Sequence, residues 1–429
     1  MYKFLQGRLL LVRLILLAAV LALVAAGLLS IYAVGHPAEP SPAGQTEDSS
    51  AVTLAKEDFA NLWKKQLVFA IVAAVVFILV NLINYRRFGA ASYWIYAFVL
   101  LLLGVLLVDK FVDLPFVPVI NRARRWLKIG IGTSFIQVQP SEFCKLAYVL
   151  ALAWYLRYRS NYRSFKALVG PFALTVLPMV LILLEPNLGT VMLMMPILFT
   201  MLFVAGAKVK HLLFIILLAV VVSPFMWHFM QPYQRIRISS VILQSKFIRE
   251  KCDAHPKLAG ILIGQDRQFS TWEKQWESDW GYHLIRAKYA VASGGAKGSG
   301  FRKGPFIKYN FLPERHNDFI FAVIAHQWGF LGCAALIALY TIIVWCGLEI
   351  AANNTDPFGR LLAIGIVATI AVEVVINISM TLGLMPITGL TLPLVSYGGS
   401  SLVVSAAAMG LLNNVGRCRP FSVARKPFS

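Results

Sequence analysis

Long apolar runs recur along this chain, and they constrain its fold more than any single motif. The stretch from Leu14 to Val34 carries no charge, and predominantly apolar runs follow near 66–83, 93–108, 141–155, 167–184, 189–207, 211–230, 319–351, 360–382 and 392–415. A helix of about 20 apolar residues crosses the hydrocarbon core of a bilayer. Only helices and closed barrels pair all their backbone groups there. The pattern predicts an all-α polytopic membrane protein. It has about ten transmembrane helices and a long extracytoplasmic loop between helices 7 and 8. With 58% hydrophobic and 14% charged residues, the chain carries more apolar surface than a soluble domain needs.

The net charge of +20 would suggest nucleic acid in a soluble protein. Here it fits basic cytoplasmic loops facing anionic lipid, together with an anionic substrate, and no nucleic-acid partner is expected. The short loops at Arg86/Arg87, Arg157–Lys166 and Lys208/Lys210 all fall on one side when the spans alternate. The basic tail 416–429 falls on the same side, which the positive-inside rule makes cytoplasmic. The first apolar run is longer than the core of a signal peptide, so it reads as a retained helix. The single transmembrane domain then has a flexible outer loop at 36–65, rich in Pro, Ser and acids, and further outer loops at 109–140, 230–318 and 384–391. None of the five cysteines forms a CxxC pair, and only Cys252 lies in a long loop. No disulfide, zinc or other metal spacing is visible.

Five segments carry candidate chemistry. At Pro313-Glu314-Arg315-His316-Asn317-Asp318 a polar run meets an apolar one at Phe319. Partial desolvation at such a border makes a carboxylate a better general base, although an acid there also suits a helix cap. Glu142 and Lys145 lie three apart on one helix face, as an ion pair or with Lys145 offered to a phosphate. Arg124 and Arg125 suit a diphosphate through bidentate hydrogen bonds, and Trp126 beside them suits a membrane interface. Lys288 and the loop Ala292–Gly304 offer positive charge and a backbone that approaches a phosphate closely, or simply a flexible turn. Leu384–Ser401 is broken by Pro386, Gly389 and Pro393, as chain that lines an intramembrane cavity often is. Glu314, Arg315 and Ser396 complete the candidate substrate-binding set of Arg124, Arg125, Glu142, Lys145 and Lys288.

Taken together, these segments resemble one family. ARRW (Ala123–Trp126) before QPSEFCKLA, PYQRIR (Pro232–Arg237), YHLIRAKYAVASGG (Tyr282–Gly295), FLPERHNDFIFAV (Phe311–Val323) and GLMPITGLTLPLVSYGGSS (Gly383–Ser401) are similar to the SEDS cell-wall polymerases, in order and in placement between spans. FLPERH and Lys288 resemble the elongation branch more than the division branch. The resemblance implies a peptidoglycan glycosyltransferase that polymerises lipid II outside the cytoplasmic membrane. It implies an essential acid at Asp318, functional importance for Glu142 and Lys145, and a class B penicillin-binding protein as transpeptidase partner.

The chain departs from the family pattern in several places. Asn317 replaces a usual Thr, Glu185-Pro186-Asn187 a Gln-Pro-Asp, and His326-Gln327 a pair of Glu. Arg122 replaces a Gly, Glu373 a Gln, and an insertion lies around Ser245–Trp280. The reaction that the resemblance implies would invert an α-linked lipid diphosphate sugar to a β-linked polymer. Asp318 would take the acceptor hydroxyl proton, and cationic groups would neutralise the leaving diphosphate. A divalent cation, Mg or Mn, would add to that neutralisation, though no residue pattern specifies it. A flippase for the lipid-linked precursor and a non-catalytic scaffold are the alternative readings.

Overall fold

The computed structural model describes residues 8–38, 60–109, 112–119, 124–131, 134–158, 165–230, 232–255, 262, 281–309, 311–312 and 315–417. Ten helices of sixteen residues or more form the bundle. They are α1 (Arg8–Gly35), α2 (Leu62–Leu82), α3 (Tyr85–Val108), α4 (Pro140–Leu156), α5 (Val169–Leu184), α6 (Leu188–Val204), α7 (Val209–Phe229), α12 (Ile320–Ala352), α13 (Pro357–Leu382) and α14 (Gly399–Arg417). Six spans, at α1, α2, α3, α5, α12 and α13, are long and apolar enough to cross a membrane, while α6 and 209–225 of α7 are apolar but shorter. The chain is a multi-pass membrane protein. At the centre stands α13, with 72% of its apolar window buried against 11% for the peripheral α2. It packs on α4, α6 and α12. On α7, Leu213, Leu217, Val221 and Phe225 are exposed, as suits a helix that faces lipid.

Several boundaries differ from the sequence expectation, each for a local reason. α3 begins at Tyr85 because Asn84 caps it, its side chain accepting from Arg86 N at 3.0 Å. The basic pair Arg86-Arg87 is therefore the first turn of a helix, not a connecting turn. The region 109–140, read as irregular, holds an antiparallel hairpin, β1 (Leu127–Ile131) and β2 (Ser134–Val138), with Leu127 opposite Val138. Its Ile and Phe enrichment was an available strand signal. The long loop 230–318 also holds regular structure. It carries α8 (Pro232–Ile242), α9 (Lys246–Ala254), α10 (Tyr282–Gly294) and the single turn α11 (Pro305–Lys308). Cys252, the one cysteine in the long loop by sequence, is fully buried beside Leu243. Most of the insertion, and the tail beyond Arg417, lie outside the described residues.

The glycine-rich loop has a different task from the one its composition suggested. α12 is broken at Gly329, whose φ of 62° and ψ of −156° suit glycine alone. A break at membrane depth frees backbone groups that must find partners inside the protein. They find them in the loop: Phe330 N donates to Gly295 O at 2.8 Å, and Leu331 N to Ala296 O at 3.2 Å. In return, Ser299 N donates to His326 O at 2.9 Å and Gly300 N to Gln327 O at 3.0 Å. A Cβ at Gly294, Gly298 or Gly329 would run into the opposing backbone. Gly294 and Gly298 of the loop, with Gly329 of the helix, thus serve backbone-to-backbone approach. His326 and Gln327, both fully buried, belong to this joint, with His326 Nδ1 2.7 Å from Ser293 Oγ and Gln327 Oε1 accepting from Arg302 N at 3.0 Å.

Hydrogen bonds also define the two ends of the bundle. At one end, Ala38 N donates to Arg302 O at 2.9 Å, Gln139 N to Ser400 Oγ at 3.1 Å and Tyr397 N to His316 O at 2.9 Å. At the other, Tyr85 donates its hydroxyl to Asp356 at 2.7 Å and Asn414 donates to Ile83 O at 2.6 Å. The loops expected on one face of the membrane are thus gathered at one end.

Candidate active site

Three consecutive carbonyls tether the turn before α12. His316 O accepts from Tyr397 N at 2.9 Å, Asn317 O from Ser396 Oγ at 2.7 Å, and Asp318 O from Asn377 Nδ2 at 3.0 Å. The donors come from α13 and from the broken segment 383–398 that follows it. That segment is held from within by Ser396 Oγ, which also accepts from Leu392 N at 2.8 Å. It is held from outside by Gln66 of α2, which donates to Ser396 O and accepts from Gly398 N, both at 3.2 Å. Leu394 sits at φ 66°, a strained backbone for a leucine and a reason why α14 starts at Gly399 rather than near 392.

Asp318 itself is half-buried. Gly389, at φ 75°, faces it, and a Cβ built there would lie 3.5 Å from Asp318 Oδ2. The capping position of α12 belongs to Phe319, so Asp318 stands one residue outside it. Ser396, read from sequence as a substrate contact, is 4% exposed and spends its hydroxyl on two backbone groups. In this structure it shapes the segment rather than presenting itself to a ligand.

Lys288 borders the same segment. It is exposed on α10 and donates to Gln244 Oε1 at 3.0 Å, while Gln244 Nε2 donates to Gly383 O, the C-cap of α13, at 2.7 Å. Arg315 is 5% exposed and donates to Ile307 O at 3.4 Å, and burial pushes its guanidinium down to about 10, still charged at neutral pH. Glu314 lies outside the described residues.

The expected diphosphate arginines are engaged elsewhere. Arg124 bridges Asp109, at 2.8 Å, and Asp113, at 2.7 Å, and the hydrogen bond to Asp113 helps hold its guanidinium above the ordinary range. Arg125 donates to the carbonyls of Glu185 and Pro186, at 3.2 and 2.5 Å. Both guanidiniums staple the base of the hairpin, one to the end of α3 and the other to the α5–α6 turn. Asn187 in that turn donates to Ser141 Oγ at 3.0 Å, tying it to the start of α4.

Glu142 and Lys145 do meet, as their spacing predicts, at 2.8 Å. A third group joins them, because Lys145 Nζ also bonds Glu373 of α13. All three are buried, at 7%, 4% and 3% exposure. An ammonium enclosed by two carboxylates is not presented to a phosphate, so the geometry matches the ion-pair reading rather than the phosphate-binding one. Lys145 and Glu373 also line a cavity of about 20 Å³ with Thr369 and Ser405, room for about one water. Among the described residues no group of three or more His, Cys, Asp or Glu is placed to hold a metal. Sequence reasoning passed over Asn377, Gln66 and Gln244, whose signal was an isolated amide in or beside an apolar run.

The broken segment 383–398, tied to an acid at the head of a central helix pair, is the candidate site of this multi-pass membrane protein. The FtsW, RodA and SpoVE family of cell cycle proteins matches residues 46–247 and 258–419, and the chain belongs to this family. It is 31% identical to the peptidoglycan glycosyltransferase RodA of Treponema pallidum (strain Nichols), over 94% of this chain and 96% of the relative. It is 32% identical to the peptidoglycan glycosyltransferase MrdB of Escherichia coli (strain K12), over 75% and 76%. Among solved structures it resembles a chain of a peptidoglycan synthase complex described as coordinating polymerization and crosslinking. There the TM-score is 0.66 at 28% identity, over 94% and 96%. It also resembles the Thermus thermophilus rod shape determining protein RodA, with a TM-score of 0.59 at 27% identity, over 94% and 95%.

The triad makes a stability prediction. Lys145→Met leaves two carboxylates facing each other in the bundle, and breaking a buried pair in this way typically costs about 3–5 kcal/mol. Glu373→Gln removes one charge and keeps an oxygen for Lys145 to bond. Thermal unfolding in detergent should show a large loss of melting temperature for Lys145→Met and a small change for Glu373→Gln. Equal losses would contradict this account of the triad.

Proposed function

We propose that this chain is a peptidoglycan glycosyltransferase that joins lipid II units into glycan strands during wall elongation, with Asp318 as the general base. The single observation that carries the reading is the setting of that carboxylate. It is half-buried, its own peptide is fixed by hydrogen bonds, and the residue facing it is a glycine. A flippase or a passive scaffold gives no reason for fixing an acid at this position.

Inversion at the donor sugar takes place in one displacement. The acceptor 4-hydroxyl attacks the anomeric carbon, its proton passes to Asp318, and the lipid diphosphate departs. Departure needs positive charge near the phosphates more than it needs an acid. With Arg124, Arg125 and Lys145 engaged in internal contacts and Arg315 buried, the exposed Lys288 is the cation of the proposed set best placed to supply it. A divalent cation, when bound, would add charge neutralisation. Asp318 offers it one hard oxygen ligand, so diphosphate oxygens would supply the rest.

The membrane is proposed to be the cytoplasmic (inner) one, with the Asp318 end facing outward. The reason is that Arg86 and Arg87 lie at the opposite end, beside Asp356 and Asn414. A class B penicillin-binding protein is the proposed partner, supported by the likeness to a chain of a peptidoglycan synthase complex. Membrane lipid and the growing glycan strand complete the set of contacts.

Two outcomes follow. Asp318→Asn should fold, bind its partner and bind lipid II, yet polymerise about 10²–10⁴-fold more slowly, the usual loss for a missing general base. Purified variant working at the parent rate would remove the base assignment. A cysteine introduced at the exposed Lys297 should react with an impermeant maleimide on whole cells. Labelling only after permeabilisation would invert the topology.

A further inference from the structure

We propose that Asn377 is a positioning residue for the polymerising reaction. Its amide clamps the Asp318 peptide to the Leu390 peptide, so that the carboxylate keeps its place beside Gly389. The proposal rests on the reading of Asp318 as the base.

Asn377 is fully buried in α13. Its Nδ2 donates to Asp318 O at 3.0 Å and to Leu390 O at 2.6 Å. A side-chain NH2 has two hydrogens, and both are used here. Both facing atoms are carbonyl oxygens, so chemistry alone decides which end of the amide points at them. The other end, Oδ1, is buried with no hydrogen-bond partner among the described residues. Leaving a buried acceptor unsatisfied is unfavourable, and a position needed only for packing would be served better by an apolar side chain. The amide is there for its donors.

What those donors hold is specific. Tyr397 N and Ser396 Oγ already dock the two preceding carbonyls, so the turn as a whole does not hang on Asn377. Asn377 acts on the carbonyl of Asp318 itself. It joins that residue to the stretch next to Gly389, the glycine that faces Oδ2. Rotation of the Asp318 peptide would swing the carboxylate away from the acceptor hydroxyl, and a misplacement of about 1 Å lowers a rate by about 10²-fold. Asn377 is itself well anchored. Glu373, four residues earlier on the same helix face, is bonded to Lys145 of α4, and Thr381, four residues later, donates to Asn377 O at 2.9 Å.

The test uses the full chain, purified with its transpeptidase partner, and lipid II as substrate. Asn377→Leu keeps the volume and removes both donors, while Asn377→Ser keeps one donor. For Asn377→Leu, kcat per folded molecule should fall about 10–100-fold with KM for lipid II within about threefold, and Asn377→Ser should fall between it and the parent. A merely structural role would lower the melting temperature and leave kcat per folded molecule unchanged. That result, or a loss confined to KM, would overturn the proposal. If Asn377→Leu does not fold, Asn377→Ser carries the same comparison, and a parental kcat for it overturns the proposal. Asp318→Asn run in parallel separates the two ideas. An active Asp318→Asn removes the base and the positioning proposal with it. An inactive Asp318→Asn beside a fully active Asn377→Leu removes the positioning role alone.

Discussion

A lysine ammonium held between two carboxylates inside an apolar bundle is the contact on which the rest of this site depends. Glu142 and Lys145 lie on α4, Glu373 on α13, and the bonds between them lock the two helices in rotation and in height. Side-chain ridges packed into grooves already restrict how the two helices sit, and the buried charges add a requirement that is specific to these residues. Separating these groups would leave buried charge without a partner, so arrangements of the two helices that keep the contact are favoured. The next turn of the same face of α13 bears Asn377, and Asn377 bonds the Asp318 peptide. The charge cluster and the tether to Asp318 thus share one helix, one turn apart.

A second constraint is the demand for backbone pairing in a medium without water. The chain leaves regular helix at Gly329 and again across 383–398. Each break is closed by named partners: the glycine-rich loop for the first, and Gln66, Ser396 and the turn 316–318 for the second. This explains the composition of both regions. Gly294 and Gly298 bring one backbone against another, and the amides and hydroxyls around 396 supply hydrogen bonds that a lipid-facing segment would lack.

Much of the fold was legible because its strongest signal is local. Apolar runs of spanning length pointed to about ten spans, and ten of the helices among the described residues have sixteen residues or more. Boundaries were less legible, since a cap such as Asn84 or a strained Leu394 acts through one residue. At the site, the i,i+3 pairing of Glu142 with Lys145 could be read from spacing. Its third member could not, because Glu373 lies 228 residues from Lys145. The same limit hid the tasks of Arg124 and Arg125. Their charge suggested an anion, while Asp109 and the carbonyls of Glu185 and Pro186 became neighbours only on folding. Asn377 was invisible for a related reason: a lone amide in an apolar helix declares that it has a partner, not which one.

The central claim is that Asp318 meets the attacking hydroxyl. Cryo-electron microscopy of the partner complex, carrying Asp318→Asn to halt turnover and saturated with lipid II, tests it most directly. The acceptor 4-hydroxyl should lie about 2.6–3.2 Å from the side chain at position 318, the reach of a general base. Asn377 should still bridge the peptides of residues 318 and 390. An acceptor sugar seated with its 4-hydroxyl against another residue, and the side chain at 318 turned away from it, would contradict the account.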